Sequence, residues 1–272
     1  MNHIGITMEY GLFSDPHGAD AALLDAYGGL EKLMERYLQL GISSVELSAV
    51  STRRSMEEMR DICQKIMDAG FHLTLHGTTE KMTGKEHFDF FVPLYDDILK
   101  RQNEVTVTLH APGDLNLAVS ILADWCREGM QRYPQVLFVQ ENQRVHKPTH
   151  GEHFRINAIP ATLPALDNIG ICWDMGHYAF NVIKAGLPAE TLPAPETMKL
   201  IRHTHIHGIV NMDTHYPVQG EPVTAYVQAL KKQGYEGIYH LEVKPDKFMR
   251  VFPDIKGGME GSILRLQEMI SE

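Results

Sequence analysis

Val136–Glu141 reads VLFVQE, an aliphatic and aromatic run that ends on a carboxylate. Outward from it the pattern recurs. HLTLH ends at His76, VTVTLH at His110, IGICWD at Asp174, HTHIH at His207 and YHLE at Glu242. These six metal-capable side chains are separated by 34, 31, 33, 33 and 35 residues, close to the length of one strand-plus-helix unit. Polar groups closing strand after strand act together only if the strands form a ring whose C-terminal ends converge. That is the geometry of a (β/α)8 TIM barrel, an α/β fold with its active site at that face. The 272 residues divide into eight units of 34, so one barrel domain over residues 1–272 is expected.

Strand-like and helix-like segments alternate along the whole chain, as parallel βαβ units require. A first strand is predicted over His3–Glu9 and a helix over Leu23–Leu40, stopped by Gly41. VELSAV, ending at Val50, is the second strand. Ser55 and Glu58 form a capping box for the helix running to Ala69. Further helices are expected over Lys85–Arg101, Leu117–Tyr133, Ile156–Leu166, Glu221–Gln233 and Gly261–Ile270, with a proline-rich irregular connection at Leu187–Glu196.

Composition narrows the function classes. Thirty-five acidic against 25 basic residues give a formal charge of −10, which argues against a nucleic-acid partner. No run of 18 apolar residues suggests a membrane helix. MNHIGITMEY enters a strand without a signal-peptide pattern, so the cytoplasm is the expected compartment. Cys63, Cys126 and Cys172 are too few and scattered for a disulfide framework and read as buried thiols.

Four strand ends carry the chemistry: Glu141, Asp174, His207 and Glu242. Carboxylates and imidazoles are the ligands of a hard or borderline divalent ion, and three carboxylates in one pocket need a cation to offset their repulsion. His203, His205 and His207 share one face of the seventh strand; His207 is chosen as the outermost, with His205 the alternative. His76, His110, His177 and Lys244 are candidate substrate contacts. His76, His110, His177, Asp213 and His215 are also candidate ligands of additional metal. Glu46, near the end of the second strand, points into the barrel as a structural or catalytic carboxylate. Arg144, His146, Lys147 and His150 lie in a basic loop that could cover the mouth.

QLGISSVELS (39–48), LHAPG (109–113), QEN (140–142), WDMGH (173–177), HIHG (205–208) and the stretch from His215 to Val243 together resemble the xylose isomerase-like TIM-barrel superfamily, which includes sugar phosphate isomerases and epimerases and endonuclease IV. In its epimerases, the resemblance implies, the residues matching Glu141, Asp174, His207 and Glu242 hold one divalent ion. The two glutamates exchange protons at the substrate carbon, and the residue matching His177 contacts substrate. Endonuclease IV implies a three-zinc pattern that also uses residues matching His76, His110, His177, Asp213 and His215. This chain departs from that pattern at the short segment from His207 to Asp213, at Gly208–Ile209, and at Asn142–Gln143–Arg144.

The expected function is therefore a divalent-metal-dependent isomerase or epimerase acting on a small carbohydrate-like polyol or keto acid. Its cofactor would be zinc or manganese in preference to magnesium or cobalt. A multi-zinc phosphoesterase or a related metal-dependent dehydratase is the alternative. A binding protein that lost the chemistry is the third reading, and a homo-oligomer is left open.

Overall fold

The computed structural model describes residues 3–50, 53–77, 84–111, 123, 127, 131–146, 151–163, 167–218 and 220–271. Cys126, Lys147, His150 and most of the helix expected over Leu117–Tyr133 lie outside the described residues. The barrel strands are β1 (His3–Glu9), β2 (Ile42–Val50), β3 (His72–Gly77), β4 (Val105–His110), β5 (Val136–Glu141), β6 (Ile169–Asp174), β7 (Ile201–Ile206) and β10 (Ile238–Leu241). They close in the order β1-β10-β7-β6-β5-β4-β3-β2, each paired in parallel with its neighbours. A short antiparallel hairpin, β8 (Gly208–Val210) and β9 (Asp213–Tyr216), interrupts the alternation after β7. The fold is an α/β TIM barrel. No helix among the described residues is long and apolar enough to cross a membrane.

Several boundaries differ from the sequence reading for physical reasons. The helix expected over Leu23–Leu40 is two helices, Ala19–Tyr27 and Leu30–Gln39. Gly28 and Gly29 separate them at φ of +79° and +115°, values that only glycine adopts at little cost. The helix expected over Ile156–Leu166 is a pair of 3-10 turns, Glu152–Phe154 and Ile156–Ala161, with Pro160 inside the second. The last helix begins earlier than expected and spans Ile255–Ser271. Ser55 caps the helix Met56–Asp68 by accepting a hydrogen bond from the Glu58 amide, as the capping box requires.

Outward-facing strand residues such as Leu47, Leu75, Phe138, Ile171 and Leu241 pack in an apolar layer beneath the helices. The inward-facing positions are different. Alternation along each strand places Gly5, Thr7, Ser44, Glu46, Thr74, Thr108, His203, His205 and His240 inside the barrel. TIM-barrel interiors are usually filled by layers of Val, Ile and Leu; here the axis is a buried polar column. At its base the His240 ring occupies the space a side chain at residue 5 would need. A Cβ on Gly5 would lie 2.3 Å from His240 Cε1. His240 Nε2 is 3.3 Å from Ser44 Oγ, joining β10 to β2 across the barrel.

Gly5→Ala is therefore expected to destabilise the protein by about 1–3 kcal/mol, the range for overpacking a filled core. Urea unfolding checks this, and an unchanged midpoint would contradict the packing of His240 against Gly5.

Candidate active site

β5 and β6 set the centre of the site. Asn142, just past β5, clamps the end of β6 with two hydrogen bonds: its Nδ2 donates to the Asp174 carbonyl and its Oδ1 accepts from the Asp174 amide, both at 2.9 Å. Asp174 is also the N-cap of the helix Met175–Lys184, where its Oδ1 accepts from the His177 amide at 2.6 Å. The motifs QEN and WDMGH thus form one mechanical unit. Their carboxylates are fixed by backbone as well as by side chains.

The parallel register then decides which strand-seven histidine joins them. Asp174 is paired with His205, not with His207, and β7 ends at Ile206. Ligand atoms of Glu141, Asp174, His205 and Glu242 lie within 4.8 Å of one another. His205 Nδ1 is 3.4 Å from Glu242 Oε2 and 3.6 Å from Glu141 Oε2. Of the strand-seven candidates, the geometry thus groups His205, the alternative, and not His207 with these three carboxylates. Shared parity gave three candidates on one face, but the outermost overshoots the plane of the carboxylates.

His207 sits behind Asp174 instead. Its Nδ1 accepts a hydrogen bond from the His215 amide at 2.9 Å, which leaves the proton on Nε2, 3.0–3.1 Å from the two Asp174 oxygens. It acts as a donor that braces Asp174. Gly176 makes room for the ring, since a Cβ there would fall 1.8 Å from His207 Cε1.

His76 and His110 both direct Nε2 at Glu141 Oε2, at 3.0 and 2.7 Å, and their rings meet edge to face. His177 places Nδ1 3.0 Å from Asp174 Oδ2 and 3.3 Å from Glu141 Oε1. His215 stacks on His207 with ring centroids 4.3 Å apart, and its Nε2 is 3.7 Å from Glu242 Oε2. It adopts φ of +64° on the hairpin, a strained value for a residue with a side chain. Asp213 does not join the site: its carboxylate pairs with Lys247 and lies 3.8 Å from Arg250. The two side chains of the expected Asp213–His215 chelating pair thus meet different neighbours, Lys247 for Asp213 and Glu242 for His215. Lys244 caps the helix Pro245–Val251, with its amide donating to the His215 carbonyl.

These groups line a cavity of 360 Å³ at the C-terminal mouth, where His76, His110, Glu141, His177, Glu242 and Lys244 meet Arg144 and His146 of the loop after β5. The volume falls at the small end of the range for small-molecule sites. A 280 Å³ cavity at the opposite end of the barrel, beside Met198 and Tyr235, contains none of them.

Burial and charge separate the carboxylates. Burial pushes Glu141 up, but the neighbouring imidazoles of His110, His205 and His177 outweigh it and hold the carboxyl well below its ordinary range. Asp174 is likewise raised by burial and lowered further by His177 and His207, with a net downward shift. Glu242 has fewer compensating neighbours. Burial, reinforced by the charges of Glu141 and Asp174, pushes it up to about 7 against the pull of His205. His215 is held neutral by burial and by the adjacent His207 and His177.

The donor set fits a divalent cation. Glu141 Oε1, His205 Nδ1, His177 Nε2 and Glu242 Oε2 are buried polar atoms without a well-aligned hydrogen-bond partner among the described residues. Buried polar atoms are normally satisfied, and exceptions of this chemistry beside clustered carboxylates fit a cation.

No protein-family model matches the chain. A 69-residue segment, 21% of the chain, is 33% identical to an uncharacterized protein of Methanocaldococcus jannaschii, and spans only 26% of that relative's length. Among solved structures, a D-tagatose 3-epimerase-like protein superposes with a TM-score of 0.63 at 16% identity, covering 99% of this chain and 98% of that one. A D-psicose 3-epimerase determined in the presence of D-fructose gives 0.60 at 13% identity, over the full length of both chains.

If Asp213 is tied to Lys247 rather than to the site, Asp213→Asn should leave the number of divalent ions bound per chain unchanged in elemental analysis. A lower ion content would place Asp213 among the ligands. The chain shares the TIM-barrel fold of these two solved structures.

Proposed function

We propose that this protein is a divalent-metal-dependent isomerase or epimerase that moves a proton at a carbon next to the carbonyl of a small polyhydroxylated substrate. The observation that carries this reading is the convergence of Glu141, Asp174, His205 and Glu242 within 4.8 Å, two of which, Glu141 and Glu242, line a cavity of small-molecule size. These four residues would hold the ion, with zinc or manganese suited to the mixed imidazole and carboxylate set. When bound, a divalent cation acts as a Lewis acid that stabilises negative charge developing on the substrate oxygens.

The chain's own residues supply the proton transfer. Glu141 Oε2 is occupied by His76 and His110, so Oε1 is the oxygen left to work on substrate. Glu141 and Glu242 would exchange protons with the substrate carbon, one as base and the other as acid. Two carboxyls lining one cavity are what such an exchange requires. His177 would orient a substrate oxygen, and Lys244 would contact substrate at the mouth.

A second reading, a multi-zinc phosphoesterase, has its own observation. His76, His110 and Glu141 form one flanking cluster, and Asp174, His177, His207 and His215 form another; each shares a carboxylate with the central four. His207 is already committed to Asp174 through its protonated nitrogen, which leaves the second cluster one donor short. The proton-transfer reading is therefore preferred.

Glu242→Gln is expected to lower kcat by about 10²-fold or more with the fold intact. Wild-type protein should incorporate solvent deuterium into a ketose or aldose from a broad sugar panel, lose this on chelation and regain it with added zinc or manganese. Near-normal turnover in the variant would sink the assignment of Glu242. Hydrolysis of a phosphodiester without exchange into any sugar would favour the second reading.

A further inference from the structure

Beneath the mouth, at the middle of the polar column, Glu46 is fully buried inside the barrel. It projects from β2 and is surrounded by donors from three other strands. Thr7 donates to Oε1 at 3.3 Å and Thr108 to Oε2 at 3.0 Å. His203 Nε2 lies 3.0 Å from Oε2, and His205 Nε2 lies 2.8 Å from Oε1. A carboxylate offers about four acceptor positions, and each oxygen here already meets two donors. Although Glu46, His203 and His205 are grouped closely enough to suggest an ion position, the neighbouring donors account for the charge without one.

His205 is the hinge between this network and the mouth. One ring nitrogen faces Glu46 at 2.8 Å, and the other faces Glu242 and Glu141 at 3.4 and 3.6 Å. At 2.8 Å a carboxylate oxygen and an imidazole nitrogen repel unless a proton lies between them, even though this approach is off the ring's N–H axis. The closer contact therefore claims the proton, and Nδ1 keeps its lone pair. A lone pair facing two carboxylates is itself repulsive, and a cation between them removes that conflict.

We propose that Glu46 is a positioning residue for the ion site: it holds the proton of His205 on Nε2 and so keeps the Nδ1 lone pair directed at Glu141 and Glu242 for a divalent cation. This rests on the reading of Glu141, Asp174, His205 and Glu242 as the ion's ligands. Thr7, Thr108 and His203 then have a purpose in the same chain of contacts. They hold Glu46 ionised and immobile where water cannot reach it, because a buried carboxylate is tolerated only when its acceptors are filled.

The test is a double-mutant cycle read by Zn²⁺ affinity, measured by competition with a chromophoric chelator on the full-length protein. Glu46→Gln is expected to weaken Zn²⁺ binding about 10–100-fold, the usual effect of removing such an outer carboxylate. In a His205→Ala background the same change should have an effect of no more than about twofold, the limit for independent sites. Unchanged affinity in Glu46→Gln, or an equal loss in both backgrounds, would overturn the proposal. If wild type binds Zn²⁺ no more tightly than His205→Ala, the ion-site reading itself fails, and the positioning role with it. Should Glu46→Gln not fold, ¹⁵N correlation spectra of His205 in zinc-loaded wild type decide: zinc on Nδ1 with the proton on Nε2 supports the proposal, and zinc on Nε2 overturns it.

Discussion

Four carboxylates, Glu46, Glu141, Asp174 and Glu242, are drawn toward the axis of one barrel, and their mutual repulsion is the constraint the rest of the site answers. Water cannot screen them there, so each is matched with imidazole donors. Glu46 has His203 and His205, Glu141 has His76 and His110, and Asp174 has His177 and His207. Glu242 is the exception, with only off-axis imidazole approaches from His205 and His215 among the described residues. The deficit concentrates at the mouth, where orphaned donor atoms converge. In the proposed reading a divalent cation would complete the charge balance at that point and tie the polar column of the interior to the chemistry of the cavity.

Much of this was legible in the sequence, and the failures have physical causes. A period near 34 residues and runs ending on His, Asp or Glu are enough to specify a ring of parallel strands, since chemistry at every strand end demands convergence. Depth within the barrel was not legible. His203, His205 and His207 obey the same alternation, and only the pairing of Asp174 with His205 shows which one is level with the carboxylates. The hairpin after β7 was missed because its turn residues, Asn211 and Met212, are not the glycine-rich pair that usually announces one; both nevertheless adopt positive φ. That hairpin is what brings His215 to the site and turns Asp213 away. The Glu46 network was half legible: its inward parity was clear, but donors from β1, β4 and β7 are assembled only by closure of the barrel.

The fold alone does not specify a reaction, since TIM barrels serve many chemistries through their loops. At 16% and 13% identity, the epimerase structures establish architecture and leave activity to the site. What distinguishes this site is asymmetry between its two glutamates. Glu141 is braced and ionised, whereas Glu242 is poorly compensated and holds its proton more tightly. Lys244, Arg144 and His146 line the cavity together with both glutamates.

The most direct test of the central claim is anomalous scattering from crystals grown with Zn²⁺, recorded on both sides of the zinc absorption edge. The account predicts an ion with ligand distances of about 2.0–2.2 Å to carboxylate oxygens of Glu141, Asp174 and Glu242 and to Nδ1 of His205. An anomalous peak bound through His207 without His205, or the absence of any peak among these four residues, would contradict it.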